Sequence, residues 1–449
     1  MLIFLCFVKN VYNEIYFLYY LEMKTFIIHT MGCKSNQFES SVIKNNLINN
    51  GYIVADKLEN ADIYILNSCS VTHKSDNEAL YLLRSAKHKN PKILNVLTGC
   101  VAQIEKDKLL EYDFIDVVVG NDEKLKMSEI PELAKNIMVS DIMSRSEFTY
   151  TPLYDTSKTR ASIKIQDGCD NRCSYCIIPF ARGNSRSADS DFIIEQINAL
   201  AANGFKEVVF TGIHIGLWGK EFNKTLTDLL LDVEEKTSIK RYRLGSLYPN
   251  EIDDRMLELL LQSEKFCPHF HLSLQSACDK TLAAMNRHYK TEDYLKLIDK
   301  INLSFDLPFI GSDVIAGFAG ETDEDFEITV KNLEKSGLSQ IHTFPYSVRK
   351  GTVGAAMSNQ LDDETKNKRA DIIKEISRRK YENFVKKNIG TVREVLIEKH
   401  PDKHSGLLKG VTRNFLTVYL DSKDLGLTNS IAKVRLSDFT DNKINGVIL

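Results

Sequence analysis

Three cysteines in the middle of the chain have a spacing that suits metal chemistry. Cys169, Cys173 and Cys176 follow the pattern C-x3-C-x2-C, and no fourth cysteine lies nearby in the sequence. Three thiolates at this spacing can bind three irons of a cubane iron–sulfur cluster, which leaves the fourth iron open to a small molecule. A structural zinc site is the alternative, but it normally has four protein ligands, often as two C-x2-C pairs. The spacing therefore favours a cubane with one open iron.

Another three cysteines are spread over the first hundred residues. Cys33, Cys69 and Cys100 each follow or end an apolar, strand-like run, and glycine precedes two of them. In a parallel sheet, the carboxyl ends of the strands share one edge, where ligands bind. We therefore expect these thiols to converge and to hold a second cluster. Three unrelated buried thiols remain the alternative, because free cysteine is often a core residue.

The composition is that of an ordinary globular protein with 449 residues, 43% of them hydrophobic and 27% charged. This length predicts roughly two to four domains. The net charge of −3 does not decide for or against nucleic acid, because the distribution of charge matters more than its sum. The cysteines outside the two sets are Cys6, Cys267 and Cys278. Since iron–sulfur chemistry requires reduced thiols, we predict a cytoplasmic protein without disulfides.

Alternating apolar and helix-capable segments predict an α/β fold that begins with a parallel sheet. The N-terminal domain is predicted to span 23–137, and a linker broken by Pro152 to span 138–160. Its expected strands are 25–30, 62–66, 93–98 and 115–119, and its expected helices are 36–50, 74–89 and 122–136. Residues 1–22 have no signal-peptide pattern and too short an apolar run to span a bilayer. We interpret them as an extension without structure, with Met23 as the natural start.

A second alternation over 161–360 predicts a partial βα barrel of six units, whose active site would lie at the carboxyl ends of the strands. The expected strands are 162–166, 207–212, 241–246, 269–274, 310–315 and 340–345, and the expected helices are 188–203, 225–236, 252–262, 279–286, 291–302 and 322–336. A basic helix over 361–388 follows. Short alternating strands over 389–449, with turns at Gly406, Gly410 and Gly426, predict a small β-barrel.

These motifs together resemble the radical S-adenosylmethionine (SAM) methylthiotransferases, from residue 24 to about 449. The resemblance rests on the two cysteine sets and on short motifs around them. These motifs are Gly32-Cys33-Lys34-Ser35-Asn36-Gln37, Asn67-Ser68-Cys69-Ser70-Val71-Thr72, Gly99-Cys100-Val101-Ala102-Gln103, Ile177–Ser187, Thr211–Gly216, His271–Ser276 and Gly311–Phe318. The basic helix and the terminal barrel resemble the RNA-binding TRAM region of that family. The first motifs are most similar to the branch that acts on threonylcarbamoyladenosine in tRNA.

The resemblance implies two 4Fe–4S clusters and SAM as cofactors, with an electron donor and a sulfur donor as partners. The cluster on Cys169, Cys173 and Cys176 would cleave SAM to a radical, and Tyr175 fits the aromatic position before the third cysteine. The cluster on Cys33, Cys69 and Cys100 would carry sulfur, which a second SAM methylates before transfer. Candidate SAM-binding residues are Thr211, Gly212, Gln275 and Asp313. Ordinary loop hydrogen bonding is the alternative for Gln275 and Asp313.

Two arginines, four histidines and the single tryptophan in or near these motifs also have candidate roles. Arg182 and Arg186 lie just past the cluster loop and could bind RNA phosphate or the acid group of the substrate, or form structural ion pairs. His29, His214, His269 and His271 lie beside strands and are predicted to be core histidines, and Trp218 to be a packing residue. The chain departs from the family pattern at Ala277, Ala319 and Tyr248, the last of which stands where an acidic residue is common.

The charge near the C-terminus predicts tRNA as the macromolecular partner. Residues 366–388 carry nine basic against three acidic side chains, a net charge of +6, and 389–449 carry +2. Such a face could bind phosphates, with Arg378, Arg379 and Lys380 as its centre. A solvated helix surface is the plain alternative for a charge run.

The predicted activity is methylthiolation of C2 of N6-threonylcarbamoyladenosine next to the anticodon. Enzymes acting on isopentenyladenosine in tRNA or on a ribosomal-protein aspartate are the alternatives. A zinc-binding RNA-binding protein without catalysis is the alternative from another class.

Overall fold

The computed structural model describes residues 24–127, 136–151 and 158–449. The chain divides into two compact units: unit 1 contains the described residues up to Ser144 together with Phe180–Arg182, and unit 2 contains those of Arg145–Pro179 and Gly183–Leu449. The predicted N-terminal extension 1–22 lies outside the described residues. None of the described helices combines the length and apolar character needed to cross a lipid bilayer.

Unit 1 is built on a parallel sheet whose described strands have the order β2-β1-β3-β4-β5-β6. The strands are β1 (Thr25–Thr30), β2 (Ile53–Val54), β3 (Ile63–Ser68), β4 (Leu94–Gly99), β5 (Val117–Val119) and β6 (Asn136–Met138), and the helices are α1 (Lys34–Asn49), α2 (His73–Lys89), α3 (Cys100–Ile104) and α4 (Lys106–Leu109). Every residue of β3 is buried, as expected for a central parallel strand covered on both faces.

One predicted helix of unit 1 differs from the structure. The segment 122–136 was expected to be helical, but its described part forms a short 3-10 turn over Glu123–Lys126 and then begins the strand β6 at Asn136. Residues 128–135 of this segment lie outside the described residues. The β6 strand is only three residues long, so its alternation was too short to detect.

Unit 2 contains the predicted partial barrel, with parallel strands in two sheets of order β11-β10-β7 and β12-β13-β14-β15. Its strands are β7 (Ala161–Lys164), β8 (Gln166–Asp167), β9 (Arg186–Ser187), β10 (Glu207–Thr211), β11 (Arg241–Arg243), β12 (Ser246–Leu247), β13 (His269–Leu272), β14 (Phe309–Ala316) and β15 (Gln340–Pro345). The helices in this part of the chain are α5 (Ile178–Arg182), α6 (Ser190–Ala202), α7 (Leu226–Lys236), α8 (Asp254–Gln262), α9 (Asp279–Ala284), α10 (Thr291–Ser304), α11 (Asp323–Lys335) and α12 (Val353–Ala356).

The apolar periodicity located these strands and helices closely, with one strand divided in two. The segment expected at 241–246 forms β11 and β12, which belong to different sheets. Gly245 lies in the break, and a Cβ added there would be 3.0 Å from the carbonyl oxygen of Phe210. Part of the predicted linker packs into unit 2, because Phe148 is buried in its core. Pro152 lies outside the described residues.

The C-terminal part of unit 2 is a long helix followed by a closed barrel of order β16-β17-β18-β20-β19, in a region that is described throughout. The elements are α13 (Asp363–Asn388), β16 (Val392–Ile397), β17 (Leu408–Thr412), β18 (Thr417–Leu420), β19 (Ile431–Thr440) and β20 (Lys443–Ile448). The predicted α/β class with a small terminal barrel is confirmed. The turn expected at Gly410 is wrong, since this residue lies within β17. A Cβ there would be 2.5 Å from the Leu396 carbonyl oxygen, so close strand packing explains the glycine.

Candidate functional site

The first cysteine set lies at one edge of the unit 1 sheet. Cys33 precedes α1, Cys69 directly follows β3, and Cys100 begins α3 directly after β4. The three preceding strands are adjacent and parallel, with Thr30 opposite Asn67 and Ser68 opposite Gly99. This register brings the thiols to neighbouring positions at the carboxyl ends of the strands, as the parallel pattern predicts.

The Cys69 thiol is influenced electrostatically by the other two thiols of this set. Burial is the largest influence and raises the pKa of Cys69 to about 12. Negative charge on Cys100 or Cys33 raises this pKa further, whereas the Val71 amide and Arg182 lower it. Thiols that destabilise one another as thiolates are stabilised by a cation, so this set suits a metal centre.

Gly32 packs directly against the Cys69 side chain. It has a φ of +86°, and a Cβ on it would be 2.6 Å from Cys69 Cβ and 2.7 Å from Cys69 Sγ. Only glycine allows this close approach, because any side chain at this position would displace the Cys69 thiol. The soft thiol donors at Cys33, Cys69 and Cys100 fit an iron–sulfur cluster.

The second cysteine set lies in the loop that follows β8 in unit 2. Burial raises the pKa of Cys169 to about 11 and that of Cys176 to about 12, and a charged Cys173 raises both. The backbone amides of Asn171 and Ile178 oppose these shifts by favouring the thiolates. The loop therefore brings the three thiols together, and its backbone amides donate hydrogen bonds to two of them.

Across residues 24–127, 136–151 and 158–449, no three His, Cys, Asp or Glu side chains converge on the position of one metal ion. The ligands of a single zinc ion must lie about 2.3 Å from one point when they are thiolates. The thiolates of a cubane bind three separate irons and are spaced more widely. A ready-made site for a single metal ion is therefore absent from the described residues.

His214 contacts the second cysteine set, although the sequence indicated only a core histidine. Its Nδ1 lies 3.4 Å from Cys169 Sγ, and its Nε2 pairs with Glu251 Oε1. Glu251 Oε2 also accepts the Tyr248 amide over 2.9 Å. A Cβ on Gly216 would be 1.8 Å from this same oxygen, so a glycine is needed there.

Tyr248 and Arg287 complete the surroundings of these thiols. The Tyr248 ring stacks on His214 with 4.2 Å between centroids, and the Arg287 guanidinium lies 3.7 Å from the centroid of the same tyrosine ring. Tyr248 Oη lies 3.5 Å and Arg287 Nη1 3.6 Å from Cys173 Sγ. The departure noted at position 248 thus places an aromatic hydroxyl against a thiol, where an acidic side chain would repel a thiolate.

Two of the predicted SAM-binding residues, Thr211 and Gly212, lie at a strand end in unit 2. Thr211 ends β10 and is buried, and the Gln166 side chain accepts the amides of Ile213 and His214 just after Gly212. This position agrees with the carboxyl-end rule for such barrels. Tyr175 lies in the cysteine loop, where burial raises its pKa and its ring packs edge-to-face against Phe318.

Gln275, which lies just beyond the end of β13, pairs with β14, and Asp313 lies within that strand rather than at its end. The Gln275 amide donates to the Asp313 carbonyl over 2.8 Å, and the Ile315 amide donates to Gln275 over 2.9 Å. Gln275 has a φ of +70°, which is uncommon for a residue with a side chain and is often found at functional sites. Asp313 Oδ1 lies 3.4 Å from His271 Nε2. A SAM-binding role for both residues stays a prediction.

The two arginines after the cluster loop form ion pairs, the second alternative offered by the sequence. Arg182 is 1% exposed and pairs with Glu39 through its two terminal guanidinium nitrogens, Nη1 and Nη2. Arg186 Nη2 lies 3.0 Å from Asp167 Oδ2, and Arg186 is also buried. In this structure neither guanidinium faces solvent, where an RNA phosphate or an acidic substrate group could reach it.

The basic residues predicted to bind tRNA lie along α13 and contact other side chains and carbonyls. Arg378 pairs with Glu375 and Glu382, and Arg379 Nη2 lies 3.1 Å from Glu334 Oε1. Lys380 Nζ donates to the Ser336 carbonyl over 2.6 Å, and burial lowers its pKa to about 8. Because exposed ion pairs contribute little stability, Arg378 and Arg379 can exchange their partners for phosphate. Lys380 differs from them, because it donates a hydrogen bond to the Ser336 carbonyl just after α11.

Comparisons with known proteins match both units. The model described as Uncharacterized protein family UPF0004 matches residues 25–120, and that of the Radical SAM superfamily matches residues 163–333. Threonylcarbamoyladenosine tRNA methylthiotransferase MtaB from Aquifex aeolicus is 37% identical over 379 residues, covering 83% of this chain and 92% of the relative. The protein of the same name from Thermotoga maritima is 35% identical, covering 90% and 92%.

A relative with another substrate in its name is almost as similar. The tRNA-2-methylthio-N(6)-dimethylallyladenosine synthase from Lachnoclostridium phytofermentans is 33% identical and covers 92% of this chain and 93% of its own. Among solved structures, the radical S-adenosylmethionine methyltransferase TsrM from Kitasatospora setae, with cobalamin and a 4Fe–4S cluster bound, matches with a TM-score of 0.52. Its identity is 14% over 72% of this chain and 74% of that one, which supports the fold alone.

Thiol labelling of reduced protein prepared without iron tests the described burial. Cys33 is exposed, so iodoacetamide at pH 8 should modify it first among the described cysteines. Cys69, Cys169 and Cys176 should react slowly, because their raised pKa values leave few thiolates at this pH, and should speed up as the pH approaches 11. Peptide mass mapping gives the order, with urea-unfolded protein as the control. Equal rates for all four thiols in the folded protein would contradict the structure.

Proposed function

This chain belongs to the family of radical SAM tRNA methylthiotransferases, and on this basis we propose that it methylthiolates C2 of N6-threonylcarbamoyladenosine next to the anticodon. The chain is an enzyme that uses SAM and 4Fe–4S clusters and modifies tRNA. The non-enzymatic zinc-binding alternative is therefore set aside. What we propose beyond the membership of the family is the identity of the modified nucleoside.

The substrate proposal is supported by the relatives that carry threonylcarbamoyladenosine in their names. Four such relatives are 33–37% identical to this chain, and the first also shares 92% of its own length with it. The motifs around Cys33 and Cys69 are most similar to the same branch. The dimethylallyladenosine relatives, at 32–33% identity, favour isopentenyladenosine as the second candidate.

The observation that carries the reaction is the convergence of Cys33, Cys69 and Cys100 at the edge of the unit 1 sheet. When bound, SAM and the clusters supply the radical chemistry and the methyl group that the reaction needs. We assign Cys169, Cys173 and Cys176 to the SAM-cleaving cluster, and Cys33, Cys69 and Cys100 to the sulfur-carrying one. Gln166 orients the turn after Thr211, and His214 and Arg287 direct nitrogen atoms at two of the thiols.

Nucleoside mass spectrometry tests the substrate. A host strain that contains threonylcarbamoyladenosine but lacks its own methylthiotransferases should accumulate the 2-methylthio form of that nucleoside when it expresses this chain. The parent strain and a strain expressing the Cys69→Ala variant should contain only the unmodified nucleoside. Methylthiolation of isopentenyladenosine alone would overturn the substrate proposal and support the second candidate.

Cysteine replacements separate the two clusters. Cys173→Ala should lose about half of the iron and all production of 5′-deoxyadenosine, because two thiolates do not hold a cubane. Cys69→Ala should also lose about half of the iron. It should still form 5′-deoxyadenosine but make no methylthiolated nucleoside.

Cys278→Ala is the matched control, since this buried thiol contacts Asp325 and belongs to neither set. It should keep both the iron and the product. Full iron and full product in Cys69→Ala would mean that the first set consists of core thiols.

Binding of tRNA is proposed to use phosphate contacts along α13. Replacing Arg378 and Arg379 with glutamine should weaken tRNA binding. It should also make the affinity depend less steeply on salt concentration, because up to about two phosphate contacts are lost. Lys296→Gln with Lys300→Gln on α10 removes the same charge from another exposed helix and is the control. Filter binding from low to high salt measures both. Equal affinity for the two double variants would leave α13 as a solvated surface.

A further inference from the structure

Unit 1 contains two buried cations that share one buried carboxylate. The side chains of Glu39, Lys124 and Arg182 are each at most 1% exposed. Lys124 Nζ lies 2.6 Å from Glu39 Oε2, and Arg182 Nη2 donates to the same oxygen over 2.9 Å. With both cations charged, these three side chains together carry one positive charge in excess. Charge at such depth is costly unless another group compensates it.

Hydrogen bonds place this charged group beside the strand ends that carry the thiols. Lys124 Nζ lies 3.3 Å from Asn67 Oδ1, two residues before Cys69. Arg182 donates to Asn36 Oδ1, and Asn36 Nδ2 donates to the carbonyl of Ser68 over 2.9 Å. The asparagine side chains therefore link both cations to the chain segments that carry Cys33 and Cys69.

The thiols and the cations act on one another electrostatically. Although burial raises the pKa of Cys69, Arg182 lowers it. Burial lowers the pKa of Lys124, whereas Glu39 and a charged Cys100 raise it. Negative charge at the thiols would therefore keep the proton on Lys124 and compensate the buried excess.

We propose that Lys124 and Arg182 are positioning residues for the cofactor on Cys33, Cys69 and Cys100, and that their excess positive charge stabilises this anionic group. The inference rests on the proposed function, which assigns a cluster to these thiols. A cubane held by three thiolates carries net negative charge, and any sulfur species on its open iron adds more. The cations thus favour both retention of the cluster and its reduced state.

Lys124 is the residue to change, because its replacement leaves Glu39 paired with Arg182. Lys124→Met keeps most of the volume and removes only the charge, while Lys124→Arg keeps the charge. Lys126→Met, at a lysine that is 63% exposed and paired with Asp122, is the matched control. All three are made in the full chain with Cys169, Cys173 and Cys176 replaced by alanine, so that one cluster is observed alone.

Redox titration followed by electron paramagnetic resonance and iron release to a chelator are the measurements. We expect Lys124→Met to shift the midpoint potential to a more negative value, because loss of a positive charge disfavours the reduced cluster. Iron should also leave this variant faster. Lys124→Arg and Lys126→Met should match the parent in both measurements.

Each other outcome has a distinct meaning. An unchanged potential and iron release in Lys124→Met would overturn the inference while leaving the cluster assignment intact. Equal shifts in Lys124→Met and Lys124→Arg would also overturn it, because packing rather than charge would be responsible. Absence of iron from the parent with the three alanines would refute the cluster assignment itself, and with it the proposed function.

Discussion

In-register pairing of parallel strands is the constraint on which the unit 1 thiol site depends. Cys69 and Cys100 follow β3 and β4 directly, and Ser68 lies opposite Gly99 in that pair. A slip of one residue in either strand would turn its side chains to the other face and separate the thiols. The buried side chains of β3 resist such a slip, since it would move the strand's whole packing pattern. Packing that stabilises the sheet thus also determines which sulfur atoms become neighbours.

The surroundings of the unit 2 thiols depend on side chains from several separate elements. Tyr248 lies between the His214 ring and the Arg287 guanidinium, and it reaches Cys173 with its hydroxyl. Stacking of a cation on an aromatic face contributes most where water is excluded, and Arg287 is 5% exposed. Around Arg287, burial alone would lower the pKa of the guanidinium, but Tyr175, Tyr289, Tyr248 and Cys173 raise it. A cation therefore lies beside the Cys173 thiol, because arginine keeps its charge in proteins.

Much of the fold followed from local patterns in the sequence. The 3.6-residue and 2-residue periodicities located the barrel strands and helices because each buries one continuous face or run. The cysteine triplet was evident because its members are adjacent in the sequence. The contact of His214 with Cys169 was not, since it joins residues 45 positions apart and no local pattern encodes it. The same holds for Arg182, whose partner Glu39 lies 143 residues earlier. Glu39 lies in the predicted helix 36–50, but nothing in the sequence marks it as buried or identifies the cation that it meets.

The membership of Phe180–Arg182 in unit 1 has a consequence for the order in which the protein is made. The ribosome synthesises Glu39 and Lys124 well before Arg182, so a nascent chain that ends at Ser144 has the carboxylate and only one of its two cations. Unit 1 reaches its complete charge arrangement only after the cysteine triplet at 169–176 has been added to the chain. A fragment cut at the apparent end of the first sheet would lack this last side chain. Unit 1 is therefore completed by residues that are synthesised after most of it. For the same reason, no single continuous fragment of the chain contains unit 1 alone.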